Sequence, residues 1–330
     1  PLRRVGGRWQ PIAWDDAFEL AAERLHAIQQ AHGRNAVAVY MGNPNVHNYG
    51  SMTHGNYFLG QLRTRQRYSA TSVDQLPHHL VSLWLYGNKM LIPIPDIDHT
   101  DFFLLLGGNP LASNGSIMTV PDVERRLKDL QARGGSLVVV DPRRTASCDI
   151  ADLHLPLAPG SDAALFNLLL AEIGRRSEIC ADNLEGIEDA MTAARETLPS
   201  ATGLAHSQIR QFLDLWLHSD KVVTVWSQGV NQSDSGTDKV NAILNCHLAS
   251  GRIGRPGMGP FSVTGQPNAM GGREVGGLAN MLACHLDIEN PTHRAAVQGF
   301  WSSPVIAEKP GLKAVEMFEA AAAGRIKALW

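Results

Sequence analysis

Short, unbroken apolar runs closed by small polar residues recur along this chain. They alternate with segments whose apolar positions fall three and four apart. AVAVY (36–40), FFLLL (102–106), LVVV (137–140), LHLPL (153–157) and VVTVW (222–226) are of the first kind. Continuous apolarity without alternation marks strands covered on both faces, as in parallel sheets. The other segments read as helices. One begins at Trp14, with Asp15 and Asp16 as its cap and Ala17, Leu20, Ala21, Leu25 and Ile28 on one face. Others cover 52–65, start at Ser161 and Asp162, start at Thr237, and fill most of 178–220. A polar hairpin opens the chain, and IKALW, after the helix AVEMFEAAAAGR, reads as one more strand. Strands alternating with helices predict an α/β protein with parallel sheets.

The organising stretch is 101–144, where FFLLL ends in Gly107-Gly108-Asn109, a helical segment follows, and LVVV ends in Asp141. In open α/β sheets ligands sit beyond the carboxyl ends of the strands, where small residues allow close backbone approach. IPIPDIDHTD, just before it, is an extended proline-rich connector and a plausible domain change. Further on, TGQPNAMGGREVGGLANML carries too many glycines for a packed element and reads as a loop.

Composition narrows the partners. With 330 residues, 44% hydrophobic and 18% charged, the chain has material for two ordinary domains. A net charge of -3 and the absence of a long basic run give no pull toward nucleic acid, so small molecules or proteins are expected. Cys148, Cys180, Cys246 and Cys284 include no CxxC pair and are expected to be buried small hydrophobes. No apolar run reaches the ~18 residues of a membrane span, and no signal peptide is visible, so a cytoplasmic protein is expected. The chain starts at Pro1 and stops inside an expected strand, as a piece of a longer protein would.

Four stretches, in order, carry a resemblance: LLLGGNPLAS, VVVDPRRTASCDIADLHLPLAPGSDAAL, WSQGVNQSDSGTDKVNAILNCHLASGRIGRPGMGPF and TGQPNAMGGREVGGLANML. Together they resemble the molybdopterin oxidoreductases of the dimethyl-sulfoxide-reductase superfamily, which carry bis(molybdopterin guanine dinucleotide) with molybdenum or tungsten. The resemblance implies two Rossmann-like parallel-sheet domains, one inserted in the other. Residues 70–265 would form the inserted domain, and 1–69 with 266–330 the discontinuous one, each gripping one dinucleotide half. An iron–sulfur cluster is then expected only in a domain preceding this chain, and a β-barrel domain after it.

By the same resemblance, Gly107, Asn109 and Ser113 match the strand-end loop that receives a dinucleotide. Asp141 and Arg143 match the next strand end, where a carboxylate takes guanine or ribose donors and a guanidinium faces phosphate. Gly160 and Asp162 match the GTD-type turn, Gln228 and Gln232 the loop after the next strand, and Gln266 the TGQP turn. ATSVDQLP lies on the metal-ligand stretch ARVC-H-x-P of many relatives, with Asp74 at the ligand position and Pro77 in register. Some members use Asp, and a hard carboxylate suits a high-valent oxo-metal. Gln75 is the alternative at that register and a candidate catalytic residue, whereas His78 and His79 read as ordinary helix-start residues.

The loop TGQPNAMGGREVGGLANML most resembles assimilatory nitrate reductases, and its Arg273 would hold a planar oxyanion through two N–H groups. Oxygen-atom transfer from nitrate, with electrons from an external redox partner, is the expected activity. Formate oxidation is the alternative, although Thr264 stands where formate dehydrogenases carry arginine. The third reading is a non-catalytic module of this fold inside an electron-transfer complex.

Overall fold

The computed structural model describes residues 1–330 except 43, 44, 46, 47, 90, 114–118, 177, 178, 181–183, 265–270, 272, 273 and 277–280. The chain forms two compact units, Pro1–Ser72 with Asn268–Trp330, and Val73–Pro267. In chain order the elements begin with β1 (Leu2–Val5), β2 (Arg8–Pro11), α1 (Trp14–His32), β3 (Val37–Met41), α2 (Tyr49–Leu62) and β4 (Arg67–Ser69). Then come α3 (Leu76–Tyr86), β5 (Phe102–Leu106), α4 (Val123–Ala132), β6 (Ser136–Val140), α5 (Ala146–Asp149), β7 (Leu153–Leu155) and α6 (Asp162–Arg175). These are followed by α7 (Ile187–Arg195), α8 (His206–His218), β8 (Val222–Trp226), α9 (Gln228–Asn231), α10 (Gly236–Ala249) and β9 (Gly259–Ser262). The last are α11 (Pro291–Phe300), α12 (Ala314–Ala322) and β10 (Ala328–Leu329).

In the unit that holds both ends of the chain, β10, β3 and β4 form a parallel sheet in that order, and β1 pairs antiparallel with β2. Its cores are modest: Ala38 and Tyr68 pack with Met317, Ala320 and Ile326, while Val39 packs with Leu59 and Leu62 of α2. α2 is capped by Asn48, whose side-chain oxygen accepts from Ser51 N at 2.9 Å. It stops at Leu62 because Arg63 turns left-handed at φ 52. The helix therefore lies three residues earlier than the sequence predicts.

The 73–267 unit is built on five parallel strands in the order β7-β6-β5-β8-β9. All five side chains of β5 are sealed from solvent, and they point alternately into two cores. Phe102, Leu104 and Leu106 meet α6, α8 and α10 on one face, and Phe103 and Leu105 meet Leu127 and Leu130 of α4 on the other. Covering on both faces is why the sequence of this strand shows no alternation. The expected α/β class with parallel sheets is thus observed.

Details of the sequence reading change. α1 follows Ala13 without a side-chain cap, and Asp15 and Asp16 lie in its first turn, where they favour the positive helix end. β7 ends at Leu155 because Pro156 has no N–H for the ladder. Ser161 precedes α6, yet its hydroxyl donates to the Ala158 carbonyl at 2.7 Å and leaves the helix uncapped. Only Cys148 and Cys246 are buried; Cys180 and Cys284 are exposed, so the uniform burial expected of the cysteines fails. Among the described residues no helix is long and apolar enough to cross a membrane.

Candidate functional site

β5 lies between β6 and β8, so successive crossovers leave it in opposite directions and open a crevice at the carboxyl ends of β5 and β8. Two glycines form its floor. A Cβ built on Gly107, after β5, would stand 2.6 Å from Gly229 Cα, and one on Gly229 would stand 2.6 Å from Gly107 Cα. Gly229 N donates to the Gly107 carbonyl at 3.2 Å, and Gly107 takes φ 54, a conformation open to glycine at little strain. The sequence reading gave Gly107 to a ligand; packing against Gly229 already demands glycine there.

Next to this contact, both side-chain amide atoms of Gln228 are buried and without a hydrogen-bond partner. Such a group loses its water without recovering the bond, at about 1–3 kcal/mol, unless a bound molecule supplies one. The neighbouring polar groups, by contrast, are satisfied. Trp226 Nε1 donates to Asn231 Oδ1 at 3.2 Å, and the Ser227 hydroxyl donates to the Val263 carbonyl at 3.1 Å.

The other strand ends on this edge carry further candidates. Asn109 is oriented by Ser147, a fully buried hydroxyl that donates to Asn109 Oδ1 at 2.7 Å. Ser113 closes the same turn, its N–H reaching the Asn109 carbonyl at 3.3 Å. Past β6, Asp141 Oδ1 accepts from Arg143 N at 2.8 Å, and His154 Nε2 donates to the Asp141 carbonyl at 2.8 Å. That turn leaves the Arg143 side chain exposed. Past β7, Gly160 turns at φ 92 with open space around its Cα. Asp162 faces inward instead, 2.8 Å from Lys239 Nζ, with the two side chains only 12% and 3% exposed.

Asp74 follows a short 3-10 turn, Ala70–Val73, and stands two residues before α3. Its Oδ1 accepts from Gln232 Nε2 at 2.8 Å. Gln75 is the residue that precedes α3. The first turn of α3 leans on the start of α10, where a Cβ on Gly236 would come within 2.8 Å of Pro77 Cγ. His78 and His79 are buried in α3 with rings in edge contact, consistent with a packing role. Among the described residues no group of three or more His, Cys, Asp or Glu converges to hold a metal ion.

Beneath β8, His247 of α10 is fully buried and lies 2.8 Å from Thr224 Oγ1. Its Nδ1 lies 3.2 Å from the Arg252 carbonyl, which can only accept, so Nδ1 carries the proton and Nε2 takes the hydroxyl. Burial drives the His247 pKa down to about 3. The neutral ring anchors the middle of β8 and so fixes the height at which Gln228 and Gly229 emerge.

The structure therefore brings Gly107, Asn109, Ser113, Asp141, Arg143, Gly160, Asp162, Gln228 and Gln232 to the carboxyl edge of one sheet. Gln266 and Arg273 lie outside the described residues. Sequence reasoning missed Gly229, Ser147 and Lys239. Gly229 sits in the quoted loop WSQGVNQ and could have been paired with Gly107 once β5 and β8 were taken as neighbours. Nothing local marks Ser147 or Lys239, whose partners are distant in the chain.

Comparison with known proteins agrees with this architecture. The molybdopterin oxidoreductase family model matches residues 1–330. A nitrate reductase of Klebsiella oxytoca is 38% identical over 96% of this chain and 36% of its own length. One of Shewanella frigidimarina is 35% identical over 97% of this chain and 34% of its own. The chain thus spans about a third of these relatives. The structure of acetylene hydratase from Pelobacter acetylenicus covers 76% of the chain with a TM-score of 0.56 at 21% identity, a likeness of fold.

Proposed function

The chain belongs to the molybdopterin oxidoreductase family, whose cofactor is a molybdenum–molybdopterin, and from that premise we propose that it is the central, cofactor-gripping part of a nitrate reductase catalytic subunit. The carrying observation is the buried, unpaired amide of Gln228 beside the Gly107–Gly229 floor. A buried amide left without a partner at a strand-order reversal fits a ligand rich in donors and acceptors. In this reading the ligand is the guanine-dinucleotide form of the cofactor, one half on the inserted domain near 70–265 and the other on 1–69 with 266–330.

Asn109, held by Ser147, and Asp141, held by its own turn, offer preset acceptors to guanine or ribose. Arg143, exposed beside Asp141, faces phosphate. Asp74 supplies an anionic oxygen to the metal, and Gln75 and Arg273 orient the substrate oxyanion. When bound, the molybdenum centre supplies two-electron oxygen-atom transfer; the chain's share is to hold, orient and shield. Electrons arrive from a separate redox partner protein or domain, in the cytoplasm.

The experiment is metal analysis and turnover of the full-length protein. Near-stoichiometric molybdenum or tungsten, with nitrate-dependent oxidation of a reduced viologen, is expected. Formate oxidation without nitrate reduction would replace the substrate, and purified protein without either metal would make the chain a non-catalytic module.

A further inference from the structure

The unit formed by 1–72 and 268–330 has a polar cavity of its own. From it we propose a second ligand site, in which the guanidinium groups of Arg67 and Arg63 hold a compact inorganic oxyanion of the sulfate, phosphate or bicarbonate class. The cavity, about 40 Å³ in volume, lies between α2, the first residue of β4 and the segment 301–307 that follows α11. One water needs roughly 10–15 Å³, so the space takes about three waters or one small ion. All of its lining residues belong to this unit, whereas the crevice beside Gln228 belongs to the other.

Charge on the lining is one-sided: Arg63 and Arg67 face the cavity, and no Asp or Glu does. Among the described residues neither guanidinium forms an ion pair. The Arg67 side chain is half-buried, and its Nε is sealed from water without a hydrogen-bond partner. Its fork reaches only Asn56 Oδ1, from Nη2 at a long 3.5 Å. Burial pulls the Arg67 pKa down to about 10, which leaves the group charged at neutral pH with nothing to offset its lost hydration. An anion supplies that offset. The neighbours hold the group in place, because Asn56 donates from Nδ2 to the Val275 carbonyl at 3.1 Å and Tyr68, next along β4, is buried in the core. Arg63 ends α2 at φ 52, and that left-handed turn brings a second guanidinium to the cavity. The Thr64 and Ser303 hydroxyls already donate to the Val37 and Val305 carbonyls, at 2.8 and 2.9 Å, so the arginines supply the charged donors. The Nε edge of a guanidinium presents two parallel N–H groups, which match two oxygens of one ion.

The test is calorimetric titration of sulfate into the full-length, cofactor-loaded protein, with ionic strength held constant by gluconate, an anion too bulky for the cavity. Parent, Arg67→Met and Arg63→Gln are compared. Saturable binding of one sulfate is expected in the parent. Arg67→Met keeps an apolar stem but loses the charge-assisted bonds, and is expected to weaken binding at least about tenfold. Arg63→Gln changes an exposed side chain and should weaken it as well, so it carries the test alone if Arg67→Met does not fold. Melting temperature is the second readout. Saturating sulfate raises it in the parent by mass action, whereas the general stabilisation by sulfate is shared by the variants and cancels in the comparison. Equal binding by all three proteins overturns the site. So does a parent without saturable binding, which is also the result if a carboxylate from the rest of the full-length chain already lies against Arg67. Displacement of bound sulfate by equimolar chloride would assign the cavity to a halide and refute the oxyanion.

Discussion

Gly107 and Gly229 meet backbone to backbone where the sheet of the 73–267 unit reverses its strand order, each blocking a methyl group on the other at 2.6 Å. The two positions are not equivalent, since only Gly107 also has positive φ. Alanine at either is expected to destabilise by about 1–3 kcal/mol through overpacking. Alanine at 107 should add about 1–2 kcal/mol of left-handed strain. Melting temperatures of the full-length variants check the order. Equal losses would mean that the backbone at 107 relaxes to negative φ.

The Asp162–Lys239 pair gives a second measurement. Both side chains are nearly sealed, 2.8 Å apart, in a region where α6 and α10 pack. Lys239→Met leaves a buried carboxylate without its counter-charge and is expected to cost about 3–5 kcal/mol. Adding Asp162→Leu should recover most of that loss, because the desolvation penalty disappears with the charge. A double variant as unstable as the single one would assign the effect to packing around the Lys239 stem. Nucleotide content of the double variant reports separately whether Asp162 also serves the ligand.

How much of this was legible in the sequence follows from what each feature depends on. β5 and β8 were readable to the residue because strands buried on both faces are written as unbroken apolar runs. Their neighbour relation was not, since the chain between them forms five further α-helices and two strands. The contact between Gly107 and Gly229 depends on that relation. The cysteines show the opposite error: residue type alone predicts burial for all four, but Cys180 and Cys284 lie outside the packed elements. Ser161 and Asp162 were recognised as a helix start, yet their side chains face other partners, because capping competes with any better acceptor or cation within reach.

His247 makes stability depend on pH in a definite window. Its pKa is near 3 when folded, against about 6.5 when unfolded, so between those values the unfolded chain binds the extra proton. Stability is therefore full above pH ~6.5 and falls as pH drops toward 3, with a limiting slope on the order of 1.4 kcal/mol per unit. Glu172, whose pKa the Arg175 and Arg176 guanidinium groups hold down at about 2, loses its contribution only below about 4.5. Glu172 thus adds nothing to the slope between pH 6.5 and 5, where His247 already acts. His247→Gln should melt at a lower temperature at neutral pH and show a flatter profile across that range. An unchanged slope would place the acid sensitivity elsewhere.

The last expectation concerns Gln228, where folding and binding should respond with opposite signs. Its amide nitrogen and oxygen are both buried without partners, beside the crevice floor. In the cofactor-free protein these atoms are a liability, and Gln228→Leu, of similar bulk and without polar atoms, is expected to stabilise by about 1–3 kcal/mol. In the loaded protein the same change removes a preset donor and acceptor, so guanine nucleotide released by acid should fall relative to protein. The checks are the melting temperature of the cofactor-free form and the nucleotide-to-protein ratio after gel filtration. A rise in the first with a fall in the second supports a ligand-facing amide. If both fall, Gln228 packs for structure alone; if nucleotide content holds while stability rises, the amide faces no ligand and the crevice is read through Asn109 and Asp141 instead.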